Sequence, residues 1–304
     1  MLVYIDYKMK IVFLGTSSMQ PTRERNLTSI YVNYDKEHLL FDCGEGTQRQ
    51  MKYANLKPTS ITRIFITHFH ADHVLGLAGL MRNLGANDYN KTLHIFGPSG
   101  LEKFFDNMMN SAYYTPNVKV KLIEIKDNMK ITFEKFIVKV FKLEHTVPSF
   151  GYRIEEKDKR KINLEYTSKF GLTQHPLLGD LQNGKDIIWE GKKITVARAT
   201  KLVKGKVLSI ILDTGYCNKA IEAAKNADLL ISESTFLNEH EDKAKEFKHL
   251  TAKQAAIIAK KAKAKKLVLT HFSQRYKDVN LAKKEAEVIF KNVEVANDLS
   301  VMNL

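Results

Sequence analysis

Thr67-His68-Phe69-His70-Ala71-Asp72-His73 sets three imidazoles and one carboxylate within positions 68–73, directly behind the apolar run Ile64-Phe65-Ile66. Side by side, such groups repel one another when protonated and are costly to bury unpaired, so a bound transition metal accounts for them. A segment this short does not wrap an ion fully. Three other segments share one pattern, an apolar run that ends on a ligand type: 139–144 leads into His145, 208–212 into Asp213, and 266–270 into His271. Each reads as a strand whose carboxyl end delivers its residue into a common crevice. His68, His70 and His145 suffice for one ion and Asp72, His73 and His271 for a second, with Asp213 bridging. Imidazole and carboxylate ligation without thiolate suits two Zn²⁺ per subunit, while Mn²⁺ and Fe²⁺ remain compatible with the ligand types. Ligating imidazoles need acceptors behind them, and Asp42, ending Leu39-Leu40-Phe41, is the candidate. His38, His94, His175 and His240 stand alone and read as ordinary hydrogen-bonded histidines.

Two divalent ions about 3.5–4 Å apart form a clamp for in-line displacement at phosphorus, activating water and stabilising the leaving oxygen. The same kind of site hydrolyses lactams, thioesters and sulfate esters. The ligands alone therefore leave the substrate open.

The elements that must position these residues follow from hydrophobic period. Strands are predicted at Lys10–Leu14, Ser29–Asn33 and His38–Asp42, then a helix at Gly46–Ala54 and another over 73–84 with Asp72 as its N-cap. Further strands fit 92–96, 119–125 and 131–142. The last third reads as strand 207–212, helix 217–226, strand 228–232, helix 251–264, strand 266–270 and a helix from about 279. Two successive sets of strands and helices predict an α/β fold, a four-layer αββα sandwich in a single domain over 1–304. Residues 155–190 break the rhythm, being polar and interrupted, and read as an arm projecting from the core. The lysine run at 260–266 reads as a solvated helix face.

Composition narrows the class. The 304 residues carry 48 Lys and Arg against 34 Asp and Glu, a formal charge of +14. That balance favours a polyanionic partner such as nucleic acid, although a lysine-rich compositional bias gives the same count. No apolar run is long enough for a membrane span, and the opening residues lack the form of a secretory signal. Cys43 and Cys217 are the only cysteines, which excludes a disulfide framework and points to a reducing cytoplasm.

His-x-His-x-Asp-His followed by separate His, Asp and His ligands resembles the metallo-β-lactamase superfamily. Several motifs bring the resemblance closer to ribonuclease Z, the tRNA 3′-processing endoribonucleases. Phe13-Leu14-Gly15-Thr16-Ser17-Ser18 and Phe41-Asp42-Cys43-Gly44-Glu45-Gly46-Thr47-Gln48 are similar to that family's opening. Pro21-Thr22-Arg23-Glu24-Arg25-Asn26 resembles its PxKxRN loop, with Arg23 in place of the usual lysine, and Thr270–Tyr276 resembles its final ligand segment. The likeness spans roughly residues 9 to 278; residues 1–8 precede it and read as an upstream start or tail.

The resemblance implies a metallo-β-lactamase sandwich whose inserted flexible arm, residues 155–190, grips precursor tRNA. That arm holds only a thinned Gly/Pro motif, Gly171 to Gly179. The likeness further implies a zinc-dependent, cytoplasmic homodimer that removes the 3′ trailer, with no membrane association. It implies Asp72 as proton acceptor, Glu233 and His249 as the pair that protonates the departing 3′ oxygen, and Arg23, Arg25 and Asn26 as RNA contacts. Two rival readings are a small-substrate enzyme of the same fold, such as an arylsulfatase-like or cyclic-nucleotide phosphodiesterase, and a catalytically dead RNA-binding subunit.

Overall fold

The structure, a computed structural model, describes residues 9–113 and 117–304. The segment 1–8, read above as a start or tail, lies outside the described residues.

Residues Ile11 and Phe13 point to one side of the strand Lys10–Gly15 while Val12 and Leu14 point to the other, and all four are buried. This two-sided burial sets the architecture, because both faces of the sheet must be covered. The first sheet runs Val301–Asn303, Lys10–Gly15, Ser29–Tyr34, Glu37–Phe41, Arg63–Phe65, Thr92–Gly97, Lys119–Glu124. The second runs Val293–Val295, Leu267–Thr270, Leu229–Glu233, Val207–Ile211, Ser149–Glu156, Phe136–Leu143, Lys130–Thr132. Each is mixed, antiparallel in one half and parallel in the other.

Between the sheets, Ile11, Phe13, Phe41 and Phe65 meet Val138, Tyr152, Ile210 and Val268. The rings of Phe41, Phe65 and Phe96 stack across three paired strands, with centroids 5.1 and 4.7 Å apart. Tyr152 reaches over from the other sheet and donates its hydroxyl proton to the Ile66 carbonyl at 2.5 Å. That bond pins the strand end that delivers His68. On the outer face of the first sheet lies the helix Gly76–Ala86, which buries Leu77, Leu80, Met81 and Leu84 at helical spacing. On the outer face of the second, Asn218–Ala224 and Ala252–Lys261 bury mainly alanines, so these helices approach closely. The four-layer αββα arrangement expected from the sequence is present.

Three expectations are corrected. Asp72 is not an N-cap: the short helix Ala71–Val74 starts after His70, a second helix begins at Gly76, and the Asp72 carboxylate accepts from Met19 N–H instead. The strand expected at 131–142 is two, Lys130–Thr132 and Phe136–Leu143, folded back on each other as an antiparallel pair. The excursion expected at 155–190 has other bounds, because residues 155 and 156 still belong to the core strand Ser149–Glu156. Lys159–Ile162 pairs with Thr200–Val203 as a two-stranded stalk, so the excursion closes only at residue 203. Between them lie the helix Leu177–Gln182, the hairpin of Ile187–Trp189 and Lys192–Ile194, and a separate apolar cluster of Leu172, Leu181, Ile187, Ile194 and Ala199. Elements this short leave little hydrophobic period in the sequence.

Candidate metal centre

Glu37–Phe41, Arg63–Phe65, Val207–Ile211 and Leu267–Thr270 end at one edge of the sandwich, delivering Asp42, His68, Asp213 and His271 just beyond them. Phe136–Leu143 adds His145, and the loop after Arg63–Phe65 adds His70, Asp72 and His73. The seven candidate ligands thus come together in two groups. His68, His70, His145 and Asp213 have ligand atoms within 4.8 Å of one another, as do Asp72, His73 and His271.

Asp213 divides its carboxylate between them. Its Oδ1 lies 3.2 Å from both His73 Nε2 and His271 Nε2, while its Oδ2 lies 3.6 Å from His68 Nε2 and 3.7 Å from His145 Nε2. Asp72 Oδ2 closes the first set, 3.4 Å from His73 Nε2 and 3.5 Å from His271 Nε2. Two polar atoms in this buried cluster, His68 Nε2 and Asp213 Oδ1, have no hydrogen-bond partner. Buried polar atoms are rarely left so, and a cation between the groups satisfies both. His73 is held protonated well above the usual histidine range: burial opposes this, but Asp213, Asp72 and Asp42 together outweigh it. Without a metal, the carboxylates take a proton as their cation. The residues fit a pair of divalent ions.

Behind the inward-facing atoms lie two carboxylate–threonine pairs, Asp42 with Thr67 serving one histidine of each group and Glu233 with Thr235 serving His271. His73 Nδ1–H donates to Asp42 Oδ2 at 2.6 Å. Thr67 Oγ1 donates to the same oxygen at 2.8 Å and accepts from His68 Nδ1 at 2.9 Å. Opposite, Thr235 Oγ1 donates to Glu233 Oε2 at 2.6 Å and accepts from His271 Nδ1 at 2.9 Å. His145 Nδ1–H donates to the Lys248 carbonyl at 2.9 Å. These bonds fix which ring nitrogen faces inward. The sequence carries no expectation of a supporting role for Thr67, Thr235 or the Lys248 carbonyl. Thr67 directly precedes the ligand His68 and so offered a signal, whereas Thr235 reaches His271 across 36 positions and a backbone carbonyl leaves none.

Asp42 and His271 both adopt left-handed backbone, with φ of 56° and 59°. Such residues persist only where surroundings over-determine them, and they cluster at functional sites. Two glycines show why the opening motifs need no side chain. A Cβ on Gly15 would stand 1.7 Å from the Leu27 carbonyl oxygen, and one on Gly44 2.5 Å from that of Asp72.

Glu233 is fully buried and also accepts from Thr214 N–H at 2.7 Å. Its Oε1 takes the His249 Nδ1 proton at 3.0 Å, which leaves His249 Nε2 facing Asp213 Oδ2 at 3.9 Å. His249 thus stands at the edge of the two groups, with a ligand atom within 4.8 Å of those of Asp213 and His271.

The ribonuclease Z of Protochlamydia amoebophila is 40% identical to this chain over 290 residues, covering 95% of this chain and 94% of its own. That of Archaeoglobus fulgidus is 39% identical over 295 residues, covering 95% of each. The chain belongs to the ribonuclease Z family. Among solved structures, human tRNase Z, short form, superposes with a TM-score of 0.69 at 30% identity, covering 97% of this chain and 98% of its own. The metallo-β-lactamase fold protein YhfI of Bacillus subtilis superposes with a TM-score of 0.71 at 20% identity, covering 98% and 100%, which establishes the fold. The model of the family described as Anti-Pycsar protein Apyc1 matches residues 9–200, and over that stretch the chain is a member of it. The match stops before Asp213, Glu233, His249 and His271.

In this ribonuclease Z chain the loop resembling PxKxRN divides its labour. Arg23 is exposed. Arg25 Nη2 donates to the carbonyls of Tyr276, at 3.0 Å, and Ser273, at 3.5 Å, tying the loop to the segment after His271. Asn26 donates from its backbone N–H to Asp298 Oδ2 at 2.7 Å and from its amide to the Glu45 carbonyl at 2.9 Å. Asp298 also accepts from Thr16 Oγ1 and Gln50 Nε2, both at 2.8 Å. Arg25 and Asn26 thus bond within the chain and shape the loop, while Arg23 faces solvent. Among the described residues no helix is long and apolar enough to cross a membrane.

Proposed function

We propose that this chain is a metal-dependent endoribonuclease that removes the 3′ trailer from precursor tRNA. Cleavage after the discriminator nucleotide leaves a 3′ hydroxyl on the tRNA and a 5′ phosphate on the trailer. The reading is carried by the division of Asp213 between two histidine groups, in a chain that matches ribonucleases Z over 95% of its length.

Two zinc ions, one on His68, His70 and His145 and one on Asp72, His73 and His271 with Asp213 between, would supply Lewis acidity and acidify water toward neutral pH. Asp72, buried in the cluster, takes the proton from the attacking water. Glu233 holds the His249 ring by Nδ1, so that Nε2 carries the proton given to the departing ribose 3′ oxygen. The water oxygen ends on the trailer phosphate. Arg23 in the loop and the basic stalk residues Lys159, Arg160 and Lys161 supply cations for the RNA backbone on two separate elements.

We further infer a homodimer in which the arm of one subunit presents tRNA to the metals of the other, acting in a reducing cytoplasm. Cys43 and Cys217 are both buried and unpaired, which suits that compartment. The test is cleavage-site mapping on one precursor tRNA, with metal content and mass measured on the same sample. Cleavage elsewhere than after the discriminator, or none with two metals bound, would refute the reading.

A further inference from the structure

The turn at residues 17–20 is bolted to the metal centre, yet the chemistry above makes no use of its tip. Gln20 N–H donates to the Ser18 carbonyl at 2.5 Å, closing a three-residue turn centred on Met19. Met19 takes φ 51°. A three-residue turn with positive φ at its centre is rare and strained, and methionine gains nothing from left-handed backbone that glycine or asparagine would not supply more easily.

Surrounding contacts hold that conformation in place. Ser17 Oγ donates to the Gln20 carbonyl at 2.6 Å, and Ser18 N–H donates to the Phe272 carbonyl, next to His271, at 3.0 Å. Met19 N–H itself donates to Asp72 Oδ2 at 2.8 Å. Ser17 and Ser18 are buried, but Met19 is 62% exposed. The backbone of one residue is thus one hydrogen bond from a candidate ligand, while its long apolar side chain stands in water at the rim. Strain of this kind gathers where ligands are handled.

Resting on the nuclease reading, we propose that Met19 is a substrate-positioning residue whose thioether packs against the face of a nucleobase flanking the scissile phosphate. An unbranched, polarisable side chain suits contact with an aromatic ring, and every base offers such a face, so the contact would be tolerant of sequence. Arg23, exposed four residues on, provides the cation for the adjoining phosphates. Loop 17–26 would then hold RNA by a base at one end and by charge at the other.

The experiment is a cycle of protein and substrate changes read as kcat/KM. Wild type, Met19→Gly and Met19→Leu are assayed on a precursor tRNA and on copies made abasic at either nucleotide flanking the cut. Glycine accepts the turn's backbone without a side chain, and leucine keeps an apolar one. The proposal expects Met19→Gly to lose about three- to tenfold on the intact substrate, Met19→Leu to recover most of that, and one abasic change to cost wild type the same factor but Met19→Gly nothing more. Losses that add at both positions would overturn it, as would a Met19→Leu enzyme no better than Met19→Gly. A wild type that cuts no precursor tRNA while hydrolysing a small phosphodiester would overturn the nuclease reading itself, and this one with it.

Discussion

The Thr235 hydroxyl donates to Glu233 Oε2 at 2.6 Å, so that Glu233 holds His249 directly and His271 through that hydroxyl. One buried carboxylate therefore orients both the proposed proton donor and a proposed metal ligand. Thr235→Val, nearly the same shape, breaks the second link and removes the hydroxyl's 3.3 Å contact with His249 Nδ1, but leaves the shorter 3.0 Å Glu233–His249 bond. Metal affinity measured by chelator competition should fall about 10- to 100-fold, with the His249 interaction retained. Unchanged affinity would show that the hydroxyl does not orient His271.

Asp213→Ala removes the carboxylate shared by both groups and leaves His68, His73, His145 and His271 facing one another. Cleavage should fall by more than about a hundredfold and metal content should drop, while precursor tRNA still binds in a gel-shift assay. Full activity with two metals retained would sink the site assignment.

Excising 159–203 and joining Asp158 to Lys204 by a short linker respects the stalk, whose ends meet where Lys204 Nζ lies 2.6 Å from Asp158 Oδ2. The core should fold, because the arm's apolar cluster is separate from those of the sandwich. Cleavage of precursor tRNA should lose about a hundredfold or more in kcat/KM if the arm supplies a second point of attachment. Hydrolysis of a small phosphodiester should change little. Equal losses on both substrates would rule out an RNA-gripping arm and favour the small-substrate reading.

In the metal-free protein, burial pulls the His249 pKa down, but Glu233 and Asp213 more than offset it and push it up to about 9. A folded pKa above the unfolded value means a stabilising contribution fully present below about pH 6.5 and lost as pH rises through about 9. Thermal stability of the metal-free protein should decline over that window, and His249→Ala should show less of the decline. By NMR, Glu233→Gln should titrate His249 at lower pH than wild type. A titration midpoint unmoved by that change would contradict the pairing.

Much of this was legible because the fold places chemistry at strand ends. His145, Asp213 and His271 each follow an apolar run, and the runs became alternate, mutually parallel strands of one sheet whose ends share an edge. What escaped the sequence falls into two kinds. Ser149–Glu156, central in the second sheet, was not read as a strand, since Phe150-Gly151-Tyr152-Arg153 mixes apolar and polar residues without clean alternation. The supports of the site escaped because they act through backbone or through distance. The Lys248 carbonyl and the Met19 N–H carry no residue signature. Asp298 meets Thr16 across 282 positions. Arg25 and Asn26 were recognisable as a motif, but a motif does not tell which of its polar groups face inward.

The Asp298 contacts also bear on the order of events as the chain is made. Six of the seven candidate ligands precede residue 214, yet His271 comes late, and Asp298 with the edge strand Val301–Asn303 comes later still. Until those residues emerge from the ribosome, Thr16, Asn26 and Gln50 lack their common acceptor, and the loop carrying Met19 and Arg23 goes without that support while keeping its contacts to Asp72 and Glu45. Domains fold as their segments become available. A nascent chain that has exposed residues up to 214 therefore holds most of the candidate ligands but not the full support of the loop beside them.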